Sequence, residues 1–428
     1  MNFTFSRLRV RKSAIAALGL GVAAATVLAG CDSGTGGTGG TGGTLPTGAS
    51  AEEYQAALAD MEPVELIVQS TAASAGIPDT IGFEAFLDRV TEYSGGKITF
   101  DVTYANGIVP VLETDDALVD GRVDIVNWWP QYDPSEYPAS NVMIDASVVR
   151  DPRMVTGYYS IMAAMQEVAL DTPEIVAEYT DKGITPLNIM SPDGPSIIAC
   201  SEPINSLADL AGKQIRAGGT VHARQIEELG AIPVSLPYPE VYEALQRGIL
   251  DCSFSAHAIF TSGGHLEVAP YVYHTETTSL ASTPTNWYAG PRLKELPVAA
   301  QQLILESAPL VSAYAFNRGF ERITTETYPG VLDHNGGFFD FPADVETKLA
   351  EINEGILADV AETTYFDGAD FVSRLEAANE KWIAEVNELG YTDNGTNADF
   401  PNWFTEPYPV EPWYDAVVAE IVSKHLPS

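Results

Sequence analysis

The sequence predicts an α/β protein built from two similar lobes with a cleft between them. Strand-like and helix-like segments alternate along residues 64–124 and again along residues 213–251, an order that is typical of parallel α/β sheets. The two regions also share an internal echo, because ALVDGRVD at residues 117–124 matches ALQRGILD at residues 244–251 at the same spacing. Ligands of such sheets bind beyond the carboxyl ends of the strands, so two facing lobes would enclose one small-molecule site.

Each half has a strand, a helix and a second strand before its copy of the echo. In the first half, VELIVQS and KITFDVTY are the predicted strands, and residues 79–93 form an amphipathic helix between them. In the second half, KQIRA and IPVSL are the strands, and residues 221–229 form the helix. Each copy of the echo contains a glycine that can adopt the left-handed conformation found at helix ends.

The rest of the chain is predicted to be mostly helical, with helices long enough to brace two lobes. These helices are expected at residues 296–328, 343–363 and 368–389, with a short final one from Trp413. We place lobe I at residues 62–193 plus 282–325. Lobe II, with the bracing helices, is placed at residues 194–281 plus 326–428.

Residues 1–30 have the layout of a secretory signal peptide, in which basic residues precede an apolar stretch. LAGC at residues 28–31 is similar to the bacterial lipobox, whose cysteine, here Cys31, carries a lipid anchor. Residues 31–50 are rich in Gly and Thr and are expected to form a flexible tether. An ordinary membrane-spanning anchor is the alternative. No later segment approaches about 18 uninterrupted apolar residues, so no second transmembrane helix is expected.

The charge and the motifs narrow the functional class. The chain has 59 Asp and Glu residues against 22 Lys and Arg residues, a formal net charge of −37, which disfavours binding to nucleic acid or anionic lipids. The sequence contains no HExxH, GxSxG or Walker motif, and no GxGxxG dinucleotide fingerprint that follows a predicted strand and opens a helix. This favours a binding protein without metal or cofactor over an enzyme. SGGHLE, with His265 and Glu267, is only a weak signal for a metal.

Arg216 stands at the end of the predicted strand KQIRA, just before Gly218 and Gly219. A guanidinium matches a carboxylate with two parallel hydrogen bonds, and a glycine such as Gly218 lets the backbone approach a ligand closely. On spacing alone, a salt bridge to one of the many acidic residues is the simpler explanation for Arg216.

Residues that follow the two echo segments are expected at the walls of the cleft. Trp128 and Trp129 follow the first copy, and Ser255 and His257 follow the second. Core packing is the alternative for each tryptophan. A secreted hydrolase using Ser255 and His257 is a further alternative, although this pair lacks an orienting carboxylate.

Cys200 and Cys252 are the two cysteines other than Cys31. An even pair in an extracytoplasmic protein is expected to form a disulfide. Closing a loop of about 50 residues would stabilise the fold by about 4 kcal/mol in the chain-entropy account. Two buried free thiols are the alternative.

SLADLAGKQIRAGGT at residues 206–220, followed by ELGAIPVSLPYPEVYEALQRGILDC at residues 228–252, closely resembles the signature region of DctP-type solute-binding proteins. These proteins are the receptors of TRAP (tripartite ATP-independent periplasmic) transporters. YANGIV and ALVDGRVDI resemble the first lobe of the family more loosely. The resemblance implies a class II periplasmic-binding-protein-like architecture with a hinge, an inter-lobe cleft and a long bracing helix. It also implies closure on a ligand that is usually an organic acid.

In this resemblance Arg216 occupies the position of the arginine that pairs with the substrate carboxylate, and Tyr238 that of a cleft aromatic residue. Two positions depart from the family pattern. Ser196 replaces a second arginine, and Ser255 replaces an asparagine that contacts the substrate. A clamp with one cation fewer argues against sialic acid and simple C4-dicarboxylates.

The ligand expected from these departures is a monocarboxylate or an aromatic acid, stacked on Trp128 or Trp129 and touched by His257. The resemblance further implies a receptor that delivers this acid to TRAP permease subunits, and we expect the receptor to be a monomer. With its lipid anchor, it would sit on the outer face of the cytoplasmic membrane, periplasmic or at the cell surface. An ABC-type or sensor-associated solute-binding lipoprotein is the alternative.

Overall fold

The computed structural model of the chain describes residues 43–190, 194–284 and 286–428. The predicted signal peptide, Cys31 and the beginning of the tether lie outside these described residues. Within them, no helix combines the length and the apolar character needed to cross a bilayer.

Eleven strands occur within the described ranges. In chain order they are β1 (Val64–Gln69), β2 (Ile98–Thr103), β3 (Ile125–Trp128), β4 (Thr185–Pro186), β5 (Ser196–Cys200), β6 (Gln214–Ala217), β7 (Ile232–Ser235), β8 (Cys252–Ala256), β9 (Tyr271–His274), β10 (Asn286–Ala289) and β11 (Gly337–Asp340).

These strands form two sheets, which confirms the predicted two-lobed α/β architecture. Sheet I has the order β2-β1-β3-β10-β4, and sheet II has the order β11-β9-β5-β8-β6-β7. All strands of sheet I come from residues 62–193 and 282–325, and all strands of sheet II from residues 194–281 and 326–428. The lobe boundaries themselves remain a prediction.

Strand direction follows the sequence pattern only in part. β1 is parallel to β2 and β3, and β6 is parallel to β7 and β8, as the alternation of strands and helices predicts. β10 is antiparallel to β3 and β4, and β5 is antiparallel to β8 and β9. The sheets are therefore mixed, because the chain crosses from one sheet to the other between β4 and β5, between β9 and β10 and between β10 and β11, where the alternation stops.

Sixteen α-helices occur in the same described ranges. They are α1 (Ala51–Ala57), α2 (Ile81–Tyr93), α3 (Thr114–Val119), α4 (Pro138–Asp145), α5 (Thr156–Leu170), α6 (Pro173–Thr180), α7 (Thr220–Glu228), α8 (Val241–Gln246), α9 (His257–Ser262), α10 (Val298–Ser307), α11 (Pro309–Arg322), α12 (Tyr328–Asp333), α13 (Ala343–Ala361), α14 (Gly368–Glu388), α15 (Phe400–Trp403) and α16 (Glu411–Glu420).

The echo segments have the same local structure in both lobes. α3 and α8 each end just before a glycine, Gly121 or Gly248, whose φ is 77° or 67°. A left-handed φ of this kind is readily adopted only by glycine. The chain then enters β3 in lobe I and β8 in lobe II, so the repeated sequence builds equivalent strand entries.

Long helices brace the two sheets. α10 and α11 fill the predicted helical region, and a π-helical turn at Ile323–Thr327 joins α11 to α12. In α14, Phe371, Leu375, Trp382 and Val386 recur at helical spacing and are buried. α14 packs against α5, and α11 packs against α2, both of lobe I. α13 packs against α4 of lobe I and against α7 of lobe II, so the bracing helices hold elements of both lobes.

The predicted disulfide between Cys200 and Cys252 is confirmed. The two residues lie directly opposite each other on the antiparallel strands β5 and β8, and their sulfur atoms are bonded. The bond therefore fixes the register of the two central strands of sheet II.

Candidate functional site

A cavity of about 170 Å³ lies between the carboxyl ends of the sheet I strands and the loops of lobe II. Sheet strands leave polar side chains there at Ser70 and Asn127, just after or at the ends of β1 and β3. Lobe II contributes Tyr238 and Ile259 to the opposite wall. A small-molecule site was expected at this position, because the strand ends of both lobes meet there.

Aromatic rings form much of the cavity wall. Trp129 is 4 % exposed, and the centroid of its ring lies 5.6 Å from that of Tyr132 and 5.9 Å from that of Tyr238. Trp287 stacks on Phe83 at 4.2 Å between ring centroids, and both also line the cavity. The cleft thus brings together two of the predicted contact residues, Trp129 and Tyr238, and offers flat apolar surfaces to a ring-shaped ligand.

Trp128 does not line this cavity. Successive side chains of a strand point to opposite faces of the sheet, and Trp128 enters the core of lobe I. Its ring packs edge-on against Tyr137 at 4.5 Å and against Tyr288 at 5.3 Å. Of the two tryptophans proposed for stacking, only Trp129 is therefore placed to contact a ligand in the cavity.

Arg216 lies at the carboxyl end of β6 and is 3 % exposed. Its Nε donates to the backbone carbonyl of Leu236 at 2.9 Å, and its Nη1 donates to that of Phe254 at 3.1 Å. The Tyr132 side chain, which belongs to lobe I, also hydrogen-bonds to the guanidinium. Burial lowers the pKa of Arg216 from its ordinary value, but arginine still carries its charge at any physiological pH.

No carboxylate among the described residues forms a salt bridge with Arg216. Within this part of the chain, a salt bridge to a neighbouring acidic residue therefore does not explain the arginine. Arg216 also does not line the cavity itself. Tyr132 contacts Arg216 on one side and Trp129 on the other. A layer of aromatic rings therefore separates the buried cation from the cavity.

Gly218 makes room for the Arg216 guanidinium. A Cβ atom at Gly218 would lie 2.7 Å from Nη1 and 3.1 Å from Cζ of Arg216, which is closer than carbon and nitrogen atoms approach without a bond. The backbone N–H of Gly218 donates to Nδ1 of His222 at 3.3 Å. Burial, together with the charge of Arg216, lowers the pKa of His222 to about 3, so a neutral imidazole lies beside the cation.

Gly218→Ala should therefore displace the guanidinium and weaken binding of an anionic ligand by about tenfold, equivalent to about 1.4 kcal/mol. Gly219→Ala is the matched control, because a Cβ there would meet its nearest neighbour, Cβ of Gln131, at an ordinary 3.4 Å. Isothermal titration calorimetry on the two variants measures the difference. Equal affinity of Gly218→Ala and the unmodified protein would contradict the role given to Gly218.

The predicted polar contacts lie around the cavity rather than in its wall. Ser255 is buried, and its Oγ has no hydrogen-bond partner among the described residues. The backbone N–H of Ser196 donates to the Tyr158 hydroxyl at 2.5 Å, and Ser196 does not line the cavity. His257 packs on His274, with 2.8 Å between the two Nε2 atoms. Because His257 begins α9 facing the core, the residues after it, not His257, reach the cavity.

Arg322 is a cation of the cavity wall that the sequence reasoning missed. Its Nη1 pairs with Asp79, and its Nε pairs with Glu326 at 2.9 Å. Ser262 of lobe II donates to the same Asp79 at 2.7 Å. The pair Arg322–Glu326 has the i, i+4 spacing that a sequence can reveal, but the contact with Asp79 joins residues far apart in the chain. Since two carboxylates neutralise Arg322, it forms part of the cavity wall and has no uncompensated charge for a ligand.

Metal-ligating residues do not converge within the described ranges, where no three His, Cys, Asp or Glu side chains come together. His265 is buried against Phe260 at 5.9 Å between ring centroids. Glu267 instead accepts a hydrogen bond from the Tyr242 hydroxyl at 3.3 Å. The pair suggested by SGGHLE thus faces two different environments.

Two mixed sheets whose strand ends meet at a shared cleft are typical of two-lobed solute-binding proteins. Residues 69–322, more than half of the chain, match the model of the DctP family, described as bacterial extracellular solute-binding protein, family 7. The chain belongs to this family, whose members are the solute receptors of TRAP transporters.

Relatives of known name agree with this assignment. The chain is 29 % identical over 204 residues to the ectoine-binding periplasmic protein TeaA of Halomonas elongata, covering 46 % of this chain and 56 % of that protein. It is 25 % identical over 203 residues to a solute-binding protein of Chromohalobacter salexigens, covering 46 % and 57 %. The chain thus aligns with just over half the length of these curated relatives.

Solved structures share the fold. A marine metagenome TRAP solute-binding protein specific for aromatic acids, crystallised with 3-hydroxybenzoate, superposes with a TM-score of 0.63 at 23 % identity, covering 75 % of this chain and 99 % of that one. The Bordetella pertussis receptor DctP7, which binds pyroglutamic acid, superposes with a TM-score of 0.61 at 18 % identity, covering 74 % and 99 %. At these identities the likeness establishes the fold alone.

Proposed function

We propose that this protein captures a ring-bearing monocarboxylate in its inter-lobe cleft and delivers it to a TRAP permease. The observation that carries the proposal is the buried Arg216 guanidinium, which has no carboxylate partner among the described residues and lies behind the aromatic wall of the cavity. A buried charge of this kind is stable when an opposite charge pairs with it. The ligand carboxylate would supply that charge.

The ligand would bind in two parts. Its carboxylate would take the place of the Tyr132 hydroxyl on Arg216 and form the charge-assisted hydrogen bonds that a guanidinium favours. Its ring would stack on Trp129 and extend toward Trp287, where the cavity is apolar. Similar proteins are described as binding ectoine, pyroglutamate and 3-hydroxybenzoate, and these three compounds all combine one ring with one carboxylate.

Closure of the lobes would select the ligand-bound state. Contacts such as Trp129–Tyr238 and Asp79–Ser262 join the two lobes across the cleft. A ligand that touches both walls makes its full set of contacts only when the lobes are closed. Its binding therefore shifts the population toward the closed state. The cargo acid would then be released to the permease, unaltered and without catalysis.

The hydrolase alternative lacks a catalytic pair. Nε2 of His257 is engaged with His274, and Oγ of Ser255 has no hydrogen-bond partner in the described part of the chain. A serine nucleophile needs a base within hydrogen-bond reach. Together with the membership of the DctP family, this favours a receptor over both a hydrolase and an ABC-type lipoprotein.

Attachment to the membrane is part of the same proposal. A lipid on Cys31 and the tether at residues 31–50 would hold a monomeric receptor at the outer face of the cytoplasmic membrane, near its permease.

The net charge of −37 repels an anionic ligand at long range, so the rate of ligand binding should rise as salt screens that field.

Thermal-shift measurements with matched ligand pairs test the proposed ligand class. Benzoate, 3-hydroxybenzoate, pyroglutamate and ectoine form the acid set, and benzamide and 3-hydroxybenzamide are the neutral controls of the same shape. At least one acid should raise the Tm by mass action, while its amide should not. An unresponsive acid set, or an amide as effective as its acid, would contradict a carboxylate anchored on Arg216. Mass spectrometry of the bound acid after incubation should show it unchanged.

A further inference from the structure

Arg150 is a second buried cation, unrelated to the cavity at Trp129. It follows the turn at residues 146–149, precedes α5 and is 4 % exposed. Nη1 of Arg150 donates to the backbone carbonyls of Asp151 at 2.9 Å and Pro152 at 3.3 Å. Cζ of Arg150 lies 4.3 Å above the ring of Tyr158. Nε has no hydrogen-bond partner among the described residues, so much of the guanidinium's donor capacity is unused there.

The carboxylates near Arg150 are engaged elsewhere. Asp151 binds Arg153 through both of its oxygen atoms, at 2.8 and 3.0 Å. Asp393 accepts hydrogen bonds from the first N–H groups of α5. Glu276 accepts a hydrogen bond from a backbone N–H of the C-terminal segment. In the described ranges Arg150 therefore has no salt bridge, although an unpaired buried charge is strongly destabilising.

A cavity of about 10 Å³ adjoins Arg150, and its wall combines polar residues with the apolar Pro152, Met154 and Pro195. Tyr158, Ser196, His274 and Thr275 line it together with Arg150. The Tyr158 hydroxyl donates to Oγ of Ser196 at 3.4 Å, which leaves the hydroxyl hydrogen of Ser196 available to another acceptor. A volume of this size admits one small sphere, close to the minimum for a water molecule, and it excludes a carboxylate or a phosphate.

We propose that this cavity binds one monatomic anion, chloride under natural conditions. Nε and Nη2 of Arg150 would contact the anion, and the hydroxyl groups of Ser196 and Thr275 would complete its shell. A water molecule fits the same volume but adds no negative charge to that of Asp151, which Arg150 shares with Arg153, whereas a halide supplies a second negative charge. The anion would join α5 to the β5 and β9 ends of sheet II, so it would stabilise the fold and take no part in binding the organic acid.

Bromide diffraction tests the site directly on the unmodified protein. Crystals grown or soaked in sodium bromide should show an anomalous peak in the cavity between Arg150 and Ser196. A peak without anomalous signal, consistent with water, would overturn the proposal. No organic acid is needed, so this result is independent of the ligand proposed for Arg216.

Chloride dependence of stability tests the site in solution. Replacing gluconate with chloride at constant ionic strength should raise the Tm by about 2–4 °C for a Kd near 10 mM and about 0.3 M salt. Arg150→Met should abolish this response. Arg153→Met is the matched control, because Arg153 already pairs with Asp151 and is partly exposed, and it should keep the response.

If Arg150→Met fails to fold, Ser196→Ala removes one proposed hydroxyl contact and should reduce the chloride response at least by half. An equal chloride response in Arg150→Met, or in Ser196→Ala when that variant is the one measured, would contradict the anion site.

Discussion

Arg216→Ala should weaken binding of the organic acid by at least about thirtyfold. Removing one partner of a buried, hydrogen-bonded charge pair costs about 2–5 kcal/mol, because the other charge is left desolvated without compensation. Arg216→Lys should also weaken binding. A lysine ammonium is a point charge and cannot reproduce the planar fork that would hold both carboxylate oxygens. Titration calorimetry with the acid identified by thermal shift measures both variants.

Arg224→Ala is the matched control for the loss of one positive charge from lobe II. Arg224 lies on α7, and its salt bridges go to Glu228 and Asp359 on the surface. Its removal should change the affinity by less than about threefold, since exposed ion pairs contribute at most about 1 kcal/mol. Affinity of Arg216→Ala within threefold of the unmodified protein would show that the acid does not bind at Arg216.

Acid should destabilise the fold steeply below pH 6.5, because four histidines are buried in neutral form. Burial lowers the pKa of His265 to about 4 and of His222 and His274 to about 3, and holds that of His257 well below its ordinary value. In the unfolded chain these imidazoles titrate near 6.5. The unfolded state therefore gains protons that the folded state cannot take up. The stability is fully present above pH 6.5 and falls as the pH drops toward the folded pKa values.

Three carboxyl groups act in the opposite direction, and Glu306, whose pKa is raised by burial, is one of them. Burial raises the pKa values of Asp145 and Glu276 to about 7, so the folded state binds their protons first. Their contribution is present at low pH and is lost as the pH rises through about 7. Glu276 is partly exposed, and solvent screening reduces its share. The four histidines prevail, and we expect a net loss of roughly 2–3 kcal/mol per pH unit between pH 6 and pH 5.

Urea unfolding at pH 7, 6 and 5 measures this slope. His265→Phe should reduce it by about one proton, or about 1.4 kcal/mol per pH unit, because a phenyl ring suits the contact with Phe260 and cannot be protonated. His334→Gln is the control, since His334 is exposed. A stability that does not change between pH 7 and pH 5, or an unaltered slope in His265→Phe, would contradict the assignment.

Local patterns in the sequence were sufficient to predict the framework of the site. The echo segments predicted equivalent strand entries, and Gly121 and Gly248 have the left-handed φ that this requires. The close approach allowed by Gly218 was also predicted, although the atom that approaches is the guanidinium of Arg216 rather than a ligand. These features depend on neighbouring residues, so they can be recognised without knowledge of the tertiary structure.

Features that depend on contacts distant in the chain could not be predicted. Trp128 and Trp129 are adjacent, and only the orientation of β3 decides that Trp129 lines the cavity and Trp128 the core. The sequence predicted His257 as a ligand contact, but in the structure His257 begins α9 and contacts His274. The i, i+4 pair of Arg322 with Glu326 is visible in the sequence, but its contact with Asp79 is not, and the surroundings of Arg150 are likewise assembled from segments far apart in the sequence.

The contact between Trp129 and Tyr238 has an optical consequence. The indole of Trp129 belongs to one lobe and is shielded by a ring of the other lobe. Trp128 lies in the core of lobe I, so its surroundings do not change when the lobes separate. Separation of the lobes would expose the first indole to water and shift its fluorescence emission to the red. The second indole would keep its emission, so the protein carries an intrinsic reporter of closure beside its own internal reference.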